Sequence, residues 1–184
     1  TSLKLGIDNQ DIEAIKTVYN GVLRDSGTQF YDSKFDIAKL SNIKNDAIKS
    51  ILSAKLLEAQ NRGISISVEI EEPVSNFRIE LLDFITILSV LCDNAIEATI
   101  EAISPRMTVA FMNNDDSLVL IVENSTKSEK VDVNHIFARG YSSKGEGRGL
   151  GLHNVNSILE KYPKSTISTH SANHLFSQTI RFCK

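Results

Sequence analysis

Apolar residues recur three and four apart through the opening of the chain. Ile12, Ile15, Val18 or Tyr19, and Val22 fall on one side of a helix over about residues 9–35. A second run, residues 45–61, puts Ile48, Ile51, Leu52, Leu56 and Ala59 on one face, with Gly63 as its stop. The polar residues between them, 41–45, read as a linker or kink. Helices with so little of their own to cover pack on a partner helix or on a second copy of the chain.

After Gly63 the period changes. Residues 64–70 alternate apolar and polar, which predicts a strand buried on one face. Residues 79–101 are apolar nearly all round, which predicts a helix buried against a sheet. Strands are expected at 107–112 and 118–123, joined by a turn at 113–116. A short helix near 133–137 precedes a glycine-rich segment, a helix over 150–161 halted by Pro163, and strands at 165–170 and 175–182. The order β-α-β-β-α-β-β predicts an antiparallel or mixed sheet with helices on one face, a two-layer α/β sandwich preceded by an N-terminal helical segment.

Composition narrows the function. With 184 residues and a net charge of −3, the chain suits one domain, or one domain plus an appendage, and lacks the basic footprint of a nucleic-acid or anionic-membrane binder. Its two cysteines, Cys92 and Cys183, form neither a ligand cluster nor a disulfide framework, which favours a reducing compartment. The longest apolar stretch, residues 84–92, is far short of the ~20 residues a membrane span needs. The chain begins at Thr1, without an initiator Met, as an excised fragment would. Five of the nine glycines, Gly140, Gly145, Gly147, Gly149 and Gly151, lie within a dozen residues.

Those glycines lead directly into a helix. They let backbone amides approach an anion, the helix N-terminus adds oriented N–H groups and partial positive charge, and Lys144 and Arg148 stand beside them. The spacing is neither a Walker A loop nor a dinucleotide fingerprint, so the pattern points to a phosphate site of another type. In the buried helix, Asn94 follows Val90 by one turn and puts an amide on an apolar stripe, while Asp93 and Glu97 share the neighbouring face. A hard cation such as Mg²⁺ would suit these oxygens; alone, they read equally as solvated helix-edge carboxylates with Asn94 capping a nearby loop. The strand Ile121-Val122-Glu123-Asn124-Ser125 ends in polar groups that suit a base contact or an ordinary turn.

Together and in this order, the three segments resemble the ATP-binding domain of the GHKL superfamily of gyrase, MutL and sensor histidine kinases. Asp93-Asn94-Ala95-Ile96-Glu97-Ala98 is similar to its N-box, Ile136-Phe137 to its F-box, and Gly147-Arg148-Gly149-Leu150-Gly151-Leu152 to its G2-box. The N-box spelling, together with Val122-Glu123-Asn124-Ser125-Thr126 and the later Gly140-Tyr141-Ser142-Ser143-Lys144-Gly145, most resembles the peptide-pheromone quorum-sensing kinases of the AgrC and ComD type, in particular streptococcal competence or bacteriocin pheromone receptors.

The resemblance covers about residues 40–184 and implies the Bergerat α/β sandwich. It implies ATP and Mg²⁺ as cofactors. Asn94 would bind the metal, and Gly147, Gly149, Leu150, Gly151 and Leu152 would offer backbone to the phosphates. Lys144 and Arg148 would reach from the lid, and Ala98 and Phe137 would lie against the nucleotide. Asn124 would accept the adenine amine where most relatives carry the Asp of an Asp-x-Gly-x-Gly box. Gyrase-type members place a Glu one turn before the N-box Asn to activate water; here Val90 stands there and takes no proton. The nucleophile is then expected to be a phosphoacceptor His, with Asp93 or Glu97 as candidates to assist it.

None of His135, His153, His170 or His174 resembles that acceptor, and residues 1–60 contain no His. The expectation is therefore residues 1–45 as a partial dimerisation region lacking its acceptor and residues 46–184 as the catalytic domain. The whole would be the cytoplasmic portion of a membrane-embedded receptor kinase that responds to a peptide pheromone, dimerises with a second copy and relays phosphate to a response regulator. A Ser/Thr anti-sigma-type kinase and a non-catalytic nucleotide-dependent dimerisation module are the alternatives.

Overall fold

Asn45 opens the first helix by turning its side chain onto the backbone: Oδ1 accepts from the amides of Ala47 and Ile48, both at 3.1 Å. The computed structural model describes residues 38–134, 136 and 151–183; the helix expected over 9–35 lies outside them. Helix α1, Asp46–Asn61, buries Ile48, Leu52, Leu56 and Ala59, the face that its periodicity predicts. It ends where Gly63 adopts φ +77°, a conformation glycine takes without steric cost. Strand β1 (Ser65–Ile70) follows, then helix α2 (Leu81–Thr99), the hairpin β2 (Arg106–Asn113) and β3 (Ser117–Ser125), helix α3 (Gly151–Leu159), and the hairpin β4 (Thr166–Ala172) and β5 (Leu175–Cys183). Val133, Asn134 and Ile136 are not helical, so the short helix expected near 133–137 is absent from the part of that span that is described.

The sheet order is β1-β2-β3-β5-β4. Its single parallel pair, β1 with β2, is joined by the α2 crossover, and every other pair is antiparallel. The sheet is therefore mixed, with the helices packed on one face, and the two-layer α/β sandwich expected from the element order is what forms. The β4–β5 turn is two residues long, Asn173 and His174, at φ 53° and 60°. Those angles match the tight hairpin turn whose twist suits the flanking strands.

The core lies between that sheet face and the helices. Ile66, Val68 and Ile70 of β1, Val109 and Phe111 of β2, Leu118, Leu120 and Val122 of β3, and Ile180 and Phe182 of β5 meet Phe84, Ile87, Leu88, Leu91 and Ala95 of α2. Phe84 is fully buried, with ring centroids at 4.7 Å from Phe77, 5.4 Å from Phe182 and 6.3 Å from Phe111. Helix α2 is not covered all round: Leu82 is 76% exposed, and Thr86 and Glu97 face outward.

Residues 39–43, which overlap the stretch 41–45 read as a linker or kink, anchor the chain to the sheet. Residues Lys39–Asn42 form a 3₁₀ turn that buries Leu40, and Ile43 is buried and bridges Val74. Lys39 Nζ donates to the Val68 carbonyl at 2.8 Å and Asn42 Nδ2 to that of Ile70 at 2.7 Å. Polar side chains at Lys39, Ser41 and Asn42 concealed two buried apolar positions.

At the other pole a small polar cluster fixes α3 against α2. The Tyr162 hydroxyl donates to Asp83 Oδ2 at 2.6 Å and accepts from the Glu80 amide at 3.2 Å, while Lys161 Nζ lies 3.3 Å from Asp83 Oδ1. The Tyr162 bond, aided by Lys161 and only partly opposed by burial, holds the Asp83 carboxyl below its ordinary value of 3.8. A lowered folded-state pKa contributes stability that is present above 3.8 and is lost as the pH falls through the folded value. Tyr162→Phe is therefore expected to lower the thermal unfolding midpoint near neutral pH, and the gap from the parent chain is expected to narrow as the pH drops below 3.8. Calorimetric scans across that range check it; a gap that widened in acid would contradict the linkage.

Candidate active site

Asn94 stands on α2 one turn beyond Val90, and α3 begins against both. A β-carbon placed on Gly151 would come within 3.0 Å of Val90 Cγ1 and 4.0 Å of Asn94 Oδ1. The first contact is closer than side-chain carbons ordinarily tolerate, so glycine is what lets the start of α3 reach the Asn94 side chain. Val155 and Leu159, both buried, hold the helix down, and Leu152 and Ile158 pack on the core. The N-terminal partial positive charge of a nine-residue helix is thereby set beside a carboxamide.

The donor of that carboxamide is unsatisfied among the described residues. Asn94 Nδ2 is buried and has no hydrogen-bond partner among the described residues, a condition that costs free energy unless a ligand or water relieves it. A phosphate oxygen would accept from Nδ2, and Oδ1 is a hard oxygen suited to Mg²⁺. Among the described residues no three His, Cys, Asp or Glu side chains gather around a possible metal position.

The neighbouring carboxylate is engaged elsewhere. Asp93 is ion-paired with Lys55 of α1, 38 residues earlier in the chain. This pair offsets a negative charge one residue from Asn94, which would otherwise repel a polyphosphate. Glu97 is exposed and Ala98 half-buried on the following turn. Between them and the core, Cys92 is fully buried, and burial above all, with Asp93 adding to it against Lys55, pushes its thiol up to about 12. The thiol stays protonated and unreactive.

Asn124 occupies the end of β3, 3% exposed and paired in register with Met107 and Phe176. Its Nδ2 gives one of its two N–H groups to the Ser125 carbonyl at 2.9 Å, a bond that fixes the carboxamide, and its Oδ1 is an acceptor. On the same sheet face Gln178 of β5 is 2% exposed, and its Nε2 has no partner among the described residues. Thr169, directly opposite Gln178 on β4, has an unpartnered buried hydroxyl as well.

Of the expected site residues, Asn94, Gly151, Asp93, Glu97, Ala98, Leu152 and Asn124 are described, and Asn94 and Gly151 are in contact range. Phe137, Lys144, Gly147, Arg148, Gly149 and Leu150, and His135 with them, lie outside the described residues. His153 is half-buried on α3, and His170 and His174 are exposed on the β4–β5 hairpin. Lys55 and Gln178 were not expected. Nothing local marks Lys55, whereas Gln178 interrupts the inward apolar series Phe176, Ile180, Phe182.

The family profile described as the GHKL domain matches residues 79–183, more than half of the 184 residues. The chain is 28% identical over 164 residues to sensor protein CitS of Bacillus subtilis (strain 168), a match that covers 86% of this chain and 28% of that protein. It thus spans under a third of that relative. Among solved structures, the catalytic domain of histidine kinase ThkA superposes with a TM-score of 0.64 at 19% identity, covering 77% of this chain and 92% of that one. The Acinetobacter baumannii histidine kinase AdeS gives 0.58 at 17% identity, covering 97% of this chain and 90% of that one. At these identities the structural matches establish the fold, that of histidine-kinase catalytic domains.

Proposed function

The chain belongs to the GHKL domain family, and from that membership we propose that it is the Mg-ATP-binding catalytic part of a sensor histidine kinase that hands the γ-phosphoryl group to a His outside this chain. The observation that carries the proposal is the buried Nδ2 donor of Asn94, without a partner among the described residues, on a side chain set beside the glycine that begins α3. Asn94 Oδ1 would hold the metal and Nδ2 would donate to a phosphate oxygen. Asn124 Oδ1 would accept from the adenine amine. Mg²⁺, when bound, supplies charge neutralisation on the β- and γ-phosphates.

Val90 decides which nucleophile the site can serve. Where a carboxylate would activate water, the structure has a branched alkyl group touching the start of α3, so the site lacks a base for hydrolysis at that position. A neutral imidazole needs no such base: its ring nitrogen attacks phosphorus as the bond from the γ-phosphorus to the β,γ-bridging oxygen breaks, and ADP leaves. Asp93, tied to Lys55, would be a neutralised neighbour, and Asp93 or Glu97 would assist by orienting an approaching ring. Lys144, Arg148 and the backbone of Gly147, Gly149, Leu150 and Leu152 complete the phosphate contacts in this reading, with Ala98 and Phe137 beside the base.

The spelling of the N-box and of the Val122–Thr126 and Gly140–Gly145 segments supports a peptide-pheromone receptor of the AgrC and ComD type as the parent protein. The full protein would be membrane-embedded and dimeric, with a response-regulator Asp as the next phosphate acceptor. The similarity to a sensor protein supports the two-component setting.

Incubated with γ-labelled ATP and Mg²⁺, the chain alone is expected to stay unlabelled. Mixed with a full-length sensor kinase that keeps its acceptor His and cannot bind ATP, it is expected to place an acid-labile label on that partner. Acid-stable label would indicate a Ser/Thr kinase instead, and binding of Mg-ATP without any transfer would indicate a non-catalytic module.

A further inference from the structure

Through the middle of the sheet, the row of helix-facing residues is apolar in every strand but the last two. In register across the sheet run Val68, Val109 and Val122, and then Gln178 and Thr169. Gln178 is 2% exposed, and its Nε2 donor has no partner among the described residues; the Thr169 hydroxyl opposite is unpartnered too. A buried donor left unpaired is costly, and an apolar side chain would fill the same place without that cost. The donor lies diagonally across the β3–β5 ladder from Asn124, because Asn124 faces Phe176 and Gln178 is the next residue of β5 on that face. Such diagonal neighbours stand about 7–8 Å apart, within joint reach of one planar ring.

The two carboxamides are complementary. Asn124 is held by the bond from one Nδ2 N–H to the Ser125 carbonyl and presents Oδ1 as an acceptor; Gln178 presents a donor that has no partner among the described residues. An adenine ring carries, on adjacent atoms, a donor at N6 and an acceptor at N1. A guanine or hypoxanthine ring carries the reverse, an acceptor at O6 and a donor at N1. We infer that Gln178 is a specificity-determining residue whose Nε2 donates to N1 of the bound base while Asn124 Oδ1 accepts from N6, so that the pair admits 6-aminopurines and rejects 6-oxopurines. This rests on the nucleotide-binding reading above and adds to it a residue on β5, with Thr169 as the hydroxyl beside it.

The same geometry makes Asn124 irreplaceable by the acid that most relatives carry. A carboxylate in its place would set an oxygen against the Ser125 carbonyl with no donor between them, in a position 3% exposed. Asn124→Asp is expected to weaken nucleotide binding rather than restore it.

The decisive experiment titrates the whole 184-residue chain with Mg-ATP, Mg-1-deaza-ATP (N1 replaced by C–H) and Mg-ITP, before and after Gln178→Leu. The parent chain is expected to bind ATP about tenfold more tightly than 1-deaza-ATP, the size expected for one buried hydrogen bond, and ITP more weakly than either. Gln178→Leu is expected to bind ATP as weakly as the parent binds 1-deaza-ATP, and to bind those two nucleotides alike. If the parent chain binds ATP and 1-deaza-ATP equally well, Gln178 does not read N1, whatever the variant does. If Gln178→Leu still separates the two nucleotides, or changes thermal stability alone, Gln178 and Thr169 merely share a buried water and the inference fails. A parent chain that binds no nucleotide at all overturns the ATP-binding reading, and the base readout with it.

Discussion

Asn94→Ala is expected to slow phosphoryl transfer sharply while leaving the protein at least as stable as before. The side chain puts an acceptor and a buried, unpartnered donor beside the first turn of α3. In the absence of ligand that donor is a liability, and deleting it relieves about 1–3 kcal/mol of desolvation, set against the smaller loss of packed atoms. With Mg-ATP bound, the same group would hold the metal and a phosphate oxygen, contacts that strengthen as charge shifts in the transition state. Their loss is expected to slow transfer by about 10²–10³-fold, the range seen when one positioned electrostatic contact is deleted. Transfer to the ATP-dead partner kinase measures the first effect and urea unfolding the second. Reduced transfer accompanied by an equal collapse of stability would mean that Asn94 is only a packing residue.

Phe84→Ala should have the opposite profile, with stability taking the full blow. Phe84 is wholly buried and sits among three other rings, so its removal leaves a cavity that α2 and the sheet cannot both close. The expected cost is about 3–5 kcal/mol, a large part of the roughly 5–15 kcal/mol typical of a domain this size. A urea melt should show the midpoint shifting strongly while the slope stays that of the parent chain. Because α2 also carries Asn94, nucleotide binding is expected to fall only as far as the folded fraction does. A binding defect that persisted with saturating nucleotide and full folding would show that the aromatic cluster tunes the site directly.

Periodicity made most of the elements legible. Alternation in β1, the stripe Ile48, Leu52, Leu56 and Ala59, and the turn-forming residues between β2 and β3 place those elements within a residue or two of where they form. The 39–43 segment was illegible because its two buried residues, Leu40 and Ile43, are too few to show a period and are flanked by polar ones whose partners lie about thirty residues away. Helix α2 read as buried all round because composition does not say which of Leu82, Leu88 and Leu91 faces the sheet; only the direction of the neighbouring helices decides that.

In the site, Asn94, Asn124 and the glycines could be singled out because each breaks its surroundings: an amide on an apolar stripe, polar groups ending a strand, small residues before a helix. Gln178 breaks its surroundings too, as a polar residue at an inward position, but the final strand alone gives it no neighbour to act with. Its significance needs the ladder that sets it diagonal to Asn124. Lys55 carries no such mark. A lysine on a helix is ordinarily a solvated one, and its pairing with Asp93 depends on the packing of α1 against α2.

The anchor before α1 has a consequence for how the molecule behaves in company. Strand β1 is an edge of the sheet, and an edge strand offers its outward backbone groups to any strand that comes near. Here Lys39 and Asn42 occupy the carbonyls of Val68 and Ile70, and Ile43 lies alongside Val74. The stretch that looked like a tether is thus a guard rail. A version of the protein starting at Asp46 would keep its helices and its strands but lose this protection, and would gain a sticky border along which copies could zip together.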